Sequence, residues 1–263
     1  MAKKSLKVFG KFFLDKIIKQ LGGMPHVFNN EAEFKFELAL KIKEYFDCKV
    51  RFEALTRRNY RVIINNNGIQ QTRLKNDYTD IVLEDNEDKN LKIPIELKYK
   101  TDLYKDKSNN IYLKKHGAYD LGAYDFIRDI DRLQLIVNKQ PNIQVKKQAG
   151  EQDYDSILNC CCGSCGYAII LTNDHHYWTE PKNKNTINRK FLIYGDKAGF
   201  GKISQGMHEW FDTNGVPGLS KAILNDKSRQ QSLFMRTDYD YQWQQYLNVN
   251  KDNGDFRFMI VEV

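Results

Sequence analysis

The sequence predicts an α/β protein, and three segments carry that prediction. Residues 92–100 alternate polar (or proline) and apolar positions without a break, which is typical of a β-strand with two different faces. Residues 30–46 place apolar side chains at helical spacing. Residues 166–174 form a continuous apolar run that ends in polar residues, as a buried strand does. The chain has 263 residues, 41% of them hydrophobic, which is enough for a sizeable core.

The first element is an added amphipathic helix over residues 6–21. Charged side chains interrupt its apolar residues, so the segment lacks the apolar core of a signal peptide. No apolar run in the chain approaches the roughly 18–20 residues of a membrane span. We therefore expect a cytoplasmic protein without a membrane partner. The formal net charge of +7 has the sign that suits a polyanion.

The second helix, over residues 30–46, directs one acidic side chain toward the core. Asn30 is a suitable N-cap, and Glu33 follows three residues later, as in a capping box. At 100° per residue Glu31 lies within the apolar stripe, whereas Glu33 and Glu37 lie to one side of it. Glu31 is therefore a candidate site residue. The alternative is that Glu31 only complements the helix dipole.

The strands that follow bring two further carboxylates together. Residues 49–54 and 60–64 are the expected lead-in strands, and residues 78–83 form a strand with Asp80 near its start. A polar turn then leads to the alternating strand that contains Glu96. A hairpin through this turn would place Asp80 and Glu96 on neighbouring strands, where they could share a divalent cation.

The alternating strand has a charged face and an apolar face. Glu96, Lys98 and Lys100 share the charged face, and Ile93, Ile95, Leu97 and Tyr99 the other. Pro94 lacks an N–H group, so we expect a bulge or a strand start at that residue.

Asp80 followed by Glu96-Leu97-Lys98 resembles the PD-(D/E)XK nuclease superfamily in its reduced form, Asp…Glu-x-Lys. Thr79 stands where the name-giving proline would be. The resemblance spans about residues 30–178. It implies a restriction-endonuclease-like core, a central mixed β-sheet flanked by helices in the order α-β-β-β-α-β. In that reading, residues 1–28 are an N-terminal helix and linker, 29–180 the core, and 181–263 a C-terminal extension for specificity or oligomerisation.

The resemblance also implies a metal-dependent nuclease, most simply a DNA endonuclease of restriction or defence type. Mg²⁺, for which Mn²⁺ could substitute, would be held by Asp80, Glu96, the carbonyl oxygen of Leu97 and Glu31. Lys98 would orient the attacking water and stabilise charge, or act as its base if neighbours lower its pKa.

Further roles follow from the same resemblance. Lys100, Arg128 and Arg132 would contact the nucleic acid, with Arg128 and Arg132 open to a structural reading as well. Glu33 or Glu37 would replace Glu31 if that residue is not the helix ligand. Proteins of this superfamily often dimerise to cut two strands, so a homodimer is a further expectation.

The remaining elements are predicted from local pattern. We expect a helix over residues 122–136, the buried strand over 166–174, a hairpin near 191–194 and a terminal strand over 256–263. A Tyr- and Gln-rich helix is expected after residues 229–232, running through residue 243.

Two other classes of function stay open. One is a nucleic-acid-binding module of the same fold without turnover. The other is an interaction protein stabilised by zinc, because Cys162 and Cys165 have zinc-ligand spacing and His175 or His176 could complete such a site. Against zinc, the cysteines lack a second well-spaced pair, and a run of small buried residues explains them as well.

Overall fold

The computed structural model describes the backbone of residues 3–23, 26–63, 70–137, 165–183, 188–210, 229 and 231–263, with side chains except at 57–63 and 70–76. Across these residues the protein is mixed α/β, with a central mixed sheet and three α-helices. The helices are α1 (Lys11–Gly23), α2 (Glu31–Tyr45) and α3 (Tyr119–Val137). Short 3-10 turns occupy Leu6–Val8, His175–Tyr177 and Arg189–Phe191.

The strands of the described residues are, in chain order, β1 (Cys48–Ile63), β2 (Gln70–Asp85), β3 (Lys92–Lys100), β4 (Tyr104–Asp106), β5 (Ile111–Leu113), β6 (Tyr167–Thr172), β7 (Phe200–Ile203), β8 (Gly206–His208), β9 (Leu233–Met235), β10 (Tyr239–Gln242), β11 (Gln244–Asn248) and β12 (Asp255–Glu262). Six of them form the central sheet in the order β1-β2-β3-β6-β12-β11. β3 and β6 pair in parallel, and the other neighbours in this sheet are antiparallel. The remaining strands pair as β4–β5, β7–β10 and β8–β9.

The predicted helix over residues 30–46 is confirmed as α2. The side-chain oxygen of Asn30 accepts the backbone N–H of Glu33 at 2.9 Å, so the N-cap is formed as expected. The Glu33 carboxylate accepts the backbone N–H of Asn29 rather than that of Asn30. The return bond of the capping box therefore ends one residue earlier than expected. The N–H groups of Asn29 and Glu33 both still have an acceptor.

The two faces of the sheet bury different sets of side chains. Helices α1 and α2 cover one face, where Ile95 and Leu97 of β3 are fully buried in an apolar cluster. Helix α3 covers the other face and packs against Ala168 and Ile170 of β6. The predicted alternation of β3 is confirmed, because its apolar residues lie on the α1–α2 face and its charged residues face α3.

The expected pair of lead-in strands is wrong. Residues 48–63 form one continuous strand, β1, paired along its length with β2. Neighbouring pairs in this ladder keep one register, so a long two-stranded ribbon replaces the two short strands. Residue 64, the predicted end of the second strand, lies outside the described residues.

Pro94 lies inside a regular antiparallel register, opposite Val82, so the bulge considered for it is absent from the β2–β3 pairing. The parallel pairing of β3 with β6 begins one residue later, at Ile95 opposite Tyr167. The missing N–H of Pro94 therefore falls just before that ladder, but β3 itself starts at Lys92, so the expected strand start at Pro94 is wrong as well.

Two predictions in the C-terminal part are wrong. The helix expected through residue 243 is instead strands β9 and β10 and the approach to β11, and burial alternates along β10. The expected hairpin near residues 191–194 is a 3-10 turn followed by extended chain, in which Phe191 and Ile193 are buried. Both segments contribute buried side chains to the apolar cluster that faces α3. Packing against this cluster decides their conformation, and the local sequence pattern does not reveal it.

The terminal strand expected over residues 256–263 is confirmed as β12, and it lies inside the central sheet between β6 and β11. The segment beyond residue 181 therefore completes that sheet as well as packing on it. Among the described residues, none of the helices combines the length and the apolar character needed to cross a membrane.

Asp85 ties the β2–β3 turn to the chain before α1. One carboxylate oxygen accepts the hydroxyl of Ser5 and the backbone N–H of Leu6, and the other accepts the backbone N–H groups of Glu87 and Asp88. These four bonds, of 2.8–3.0 Å, fix the turn that sets the register of β2 and β3.

Candidate functional site

Strands β2 and β3 separate at Asp80 and Glu96. Their antiparallel ladder ends at the pair Ile81–Ile95, and beyond it β2 pairs with β1 while β3 pairs with β6. We call this point of separation the fork. On the side of β3 that faces the fork, backbone N–H groups lose their ladder partner and need another acceptor.

Asp80 and Glu31 supply these acceptors. Oδ2 of Asp80 accepts the backbone N–H of Leu97 at 2.8 Å, and Oε2 of Glu31 accepts that of Tyr99 at 2.8 Å. Alternate N–H groups of a strand point to the same side, so the two carboxylates lie one strand repeat apart. The structure thus brings the first-helix glutamate and the β2 aspartate to adjacent places along the Glu-x-Lys strand.

Lys35 of α2 adds a cation to this arrangement. Its Nζ lies 2.8 Å from Oδ1 of Asp80 and also contacts the carboxylate of Glu53 on β1. Burial alone would raise the pKa of Asp80, but the hydrogen bonds from Lys35 and Leu97 outweigh it and the pKa is lowered. Asp80 is therefore held as a carboxylate.

The backbone of Glu53 is unusual at this point. Glu53 stands opposite Asp80, between the paired positions Phe52–Ile81 and Ala54–Thr79, and its φ is 46°. A left-handed conformation is uncommon for a non-glycine residue, and such residues cluster at functional sites. The long β1–β2 ribbon is thus locally irregular beside the fork.

Glu96 is buried beneath α3, with 2% of the residue exposed. An Nη atom of Arg132 lies 3.1 Å from its Oε1, yet the geometry is not that of a hydrogen bond and Oε1 has no hydrogen-bond partner. Burial raises the pKa of Glu96 well above its ordinary value, the nearby Asp129 raises it further, and Arg132 opposes both. A buried carboxylate oxygen without a donor is a costly arrangement, and either a proton or a cation at this oxygen would relieve it.

Lys98 faces the same helix. Its Nζ lies 2.5 Å from Oδ2 of Asp129, an ion pair by distance although its angles are not those of a hydrogen bond. Lys98 also donates to the carbonyl oxygen of Leu97 at 3.2 Å. Burial lowers the pKa of Lys98, but Asp129 and Glu31 raise it more, so the net shift is upward. This charged lysine suits charge stabilisation rather than the role of a base.

Arg132 holds the charged side of α3 against the sheet. Its guanidinium lies 3.1 Å from carboxylate oxygens of Asp77, Glu96 and Asp129, and it donates to the backbone carbonyl of Tyr78. The arginine is largely buried, and its contacts are with β2, β3 and α3. In this conformation it acts as a structural counter-ion, and a direct phosphate contact stays a prediction.

The other two predicted contact residues lie nearer the surface. Arg128 is paired with Asp125 at 3.2 Å, and its guanidinium lies over the ring of Tyr124. Lys100 stands opposite Thr172 at the end of the β3–β6 ladder and is half-buried. The nucleic-acid contacts expected for Arg128 and Lys100 stay predictions.

Two carboxylates of the fork, rather than three, are the candidate ligands for a divalent cation. Asp80 and Glu96 offer hard oxygen ligands on neighbouring strands, and Oε1 of Glu96 lacks a donor. Ligand oxygens around Mg²⁺ must lie within roughly 4 Å of one another, since each is about 2.1 Å from the ion. Among the described residues, Asp80, Glu96 and Glu31 do not gather three ligand atoms within 4.8 Å. The carbonyl of Leu97, also an expected ligand, is engaged by Lys98.

Sequence reasoning missed Lys35 and Glu53. Lys35 stands four residues after Glu31 on the same helix, so its place beside Glu31 could have been found from helical spacing. Glu53 gave no such signal, because its position depends on the β1–β2 register. Of the alternatives to Glu31, Glu33 already accepts the backbone N–H of Asn29, just before the N-terminus of α2. Cys162, one of the two expected zinc ligands, lies outside the described residues.

Searches against protein-family models, curated proteins and solved structures found no match to this chain. The PD-(D/E)XK resemblance therefore rests on the residues of the fork themselves.

Proposed function

We propose that this protein is a metal-dependent nuclease of restriction-endonuclease-like fold that hydrolyses phosphodiester bonds, with DNA as its substrate. The observation that carries the proposal is the fork, where Asp80 and Glu31 bind alternate N–H groups of the strand that contains Glu96 and Lys98. The order of α2, β1–β3, α3 and β6 supports it as well. The net charge of +7 suits a polyanionic substrate.

In this proposal the carboxylates of the fork bind the metal ion and water, and the lysines stabilise negative charge. Asp80 and Glu96 would hold Mg²⁺, which when bound lowers the pKa of a water and neutralises charge on the attacked phosphate. Glu31, whose pKa is raised by burial and only partly lowered again by Lys98, would assist as an acceptor for water. Lys98 and Lys35 remain cationic and would stabilise the negative charge that develops on the phosphate.

One observation favours a second candidate, a nucleic-acid-binding module without turnover. Lys35 and Arg132 already lie within ion-pair distance of Asp80 and Glu96, and Glu96 is buried. In that case the ion pairs are the final state of the fork, and nucleic acid would bind equally well with or without a divalent cation.

The test is cleavage of supercoiled and linear DNA in Mg²⁺ by the wild type and by Asp80→Asn, Glu96→Gln and Lys98→Met. The matched control is the pair Glu84→Gln and Lys92→Met. These two side chains lie 3.8 Å apart on the same two strands, at the end of the hairpin away from the fork. Circular dichroism and thermal melting would verify that each variant is folded.

Cleavage that needs Mg²⁺, falls by at least ~100-fold in the fork variants and persists in the controls is the expected result. Cleavage that survives Glu96→Gln and Lys98→Met would show that the fork is not the reaction centre. Metal-independent DNA binding by a wild type that cleaves no substrate would select the binding module.

A further inference from the structure

A separate cluster of potential metal ligands lies at the end of β6, outside the fork. Asp174, His175 and His176 follow the strand directly, and one ligand atom from each lies within 4.8 Å of the others. Among the described residues, no other set of three aspartate, glutamate, cysteine or histidine side chains has ligand atoms this close together. The carboxylates of the fork, although more numerous, are farther apart than this.

The backbone that carries these ligands is held firmly. Asp174 caps the 3-10 turn His175–Tyr177, its own N–H donates to Oγ1 of Thr172 at 2.9 Å, and its carbonyl accepts the N–H of Tyr177 at 3.1 Å. Tyr177 is buried in the α3-facing cluster against Gly122. Ligands on a fixed backbone lose less conformational entropy when they bind an ion, so the site is pre-organised.

Side-chain contacts hold the three residues of the cluster close to one another. Nδ1 of His176 donates to Oδ1 of Asp174 at 2.6 Å, and the rings of His175 and His176 lie 4.2 Å apart between centroids. A divalent ion bound between His176 and Asp174 would take the place of the shared proton. Among the described residues, the hydrogen bonds to the Asp174 carboxylate both end on Oδ1, so Oδ2 is a further candidate ligand atom.

The cluster has one buried ligand and two exposed ligands. Asp174 is 3% exposed, whereas both histidines are exposed. Three protein ligands with an open side leave coordination positions for water or for a further group, as in catalytic rather than structural zinc sites. Two imidazoles and one carboxylate select borderline transition metals such as Zn²⁺ or Co²⁺, whereas Mg²⁺ prefers oxygen ligands alone.

We propose that Asp174, His175 and His176 form a binding site for a divalent transition-metal ion of the Zn²⁺ class at the C-terminal end of β6. The site is independent of the proposed nuclease activity. It needs neither the cysteines near residue 162 nor the carboxylates of the fork.

The test uses the full chain, stripped of metal with a chelator and titrated with Co²⁺ under visible spectroscopy and with Zn²⁺ in a calorimeter. The variants are His175→Ala, His176→Ala and the double substitution, which alter exposed side chains and should leave folding intact. The matched control is His26→Ala, because His26 is also exposed and its Nε2 lies 3.4 Å from a carboxylate oxygen of Glu33.

With excess Mg²⁺ present to occupy the carboxylates of the fork, the expected result is one transition-metal ion per chain, with affinity lowered at least ~10-fold in each single variant, lost in the double variant and unchanged in the control. Excess Mg²⁺ should not displace Co²⁺, and Asp80→Asn should bind it as the wild type does. Absence of binding by the wild type, or full binding by the double variant, would overturn the proposal. A thiolate-to-cobalt charge-transfer band would also overturn it, because it would assign the ion to the cysteines.

Discussion

The two faces of β3 contact different kinds of side chain. On one face Ile95 and Leu97 are fully buried among the apolar side chains of α1 and α2. On the other, Glu96 is buried and Lys98 is half-buried, and their neighbours are Asp129 and Arg132 of α3. Side chains on both faces are removed from water, and the chemistry that compensates for it is different.

The charged face of β3 is held by ion pairing and the apolar face by packing. An apolar side chain in a close-packed cluster tolerates small changes of shape at modest cost. A buried charge that loses its partner leaves another charge unpaired, and the penalty is larger than the net worth of the pair. Substitutions on the two faces should therefore differ in size and in pH dependence.

The largest effect is expected for Arg132→Gln. It removes the counter-ion of Glu96, Asp129 and Asp77, and loss of one partner from such a buried set costs about 4 kcal/mol in the free energy of unfolding. Urea denaturation measures this loss. Arg128→Gln, one turn earlier on the same helix and more exposed, should cost less than ~1 kcal/mol.

The Arg132→Gln loss should also depend on pH. The pKa of Glu96 is raised in the folded protein, so folding favours its protonated form, and the unpaired carboxylate is relieved as pH falls through that raised value. The destabilisation should therefore be smaller at low pH than at high pH. A loss that is equal at both would show that the charges of Glu96 and its neighbours do not cause it.

The next effect tests the apolar face. Leu97→Ala removes a fully buried side chain and should lower the free energy of unfolding by about 3 kcal/mol, measured in the same way. Ile95→Val, at another fully buried position on this face, should cost about 1 kcal/mol. Neither loss should vary over the pH range that changes the Arg132 variant. A pH-dependent Leu97→Ala loss would mean that the two faces are coupled.

A smaller effect is expected at Asp85, a buried carboxylate satisfied by neutral donors. Burial would raise its pKa, but N–H groups of Asp88 and Leu6 and the hydroxyl of Ser5 outweigh this and lower the pKa from 3.8 to about 2. Asp85→Asn should cost about 2 kcal/mol, because it turns an amide NH₂ toward these donors.

The pH dependence at Asp85 has the opposite sign to that of Glu96. Its folded pKa is lowered, so its stabilisation is full above about 4 and is lost as pH falls toward 2. The difference in free energy of unfolding between wild type and Asp85→Asn should therefore shrink across that window. A difference that stays constant down to the lower limit would contradict the assignment.

Local pattern predicted the segments in which each side chain's environment is set by its own element. The alternation of β3, the N-cap of α2 and the buried strand β6 follow from the period of the apolar residues and from capping chemistry. The joining of two expected strands into β1 did not follow from local pattern, because it depends on the pairing of β1 with β2.

The candidate site shows the same division. That Glu96 and Lys98 share a face was predictable from the strand period, and that Glu31 faces inward was predictable from the helix period. Their partners were not, because Asp129 and Arg132 reach them only through the packing of α3 across the sheet. The crossing of α3 over the sheet is a tertiary property, and no spacing within one segment encodes it.

The position of β12 between β6 and β11 has a consequence for the growing chain. Every residue of β6 is buried, and its neighbour β12 follows it only after residues 173–254 have been made. Until then one edge of an apolar strand has open N–H and C=O groups, the type of edge that pairs with other chains. We expect chains truncated before Asp255 to aggregate during synthesis and to require a chaperone that shields β6.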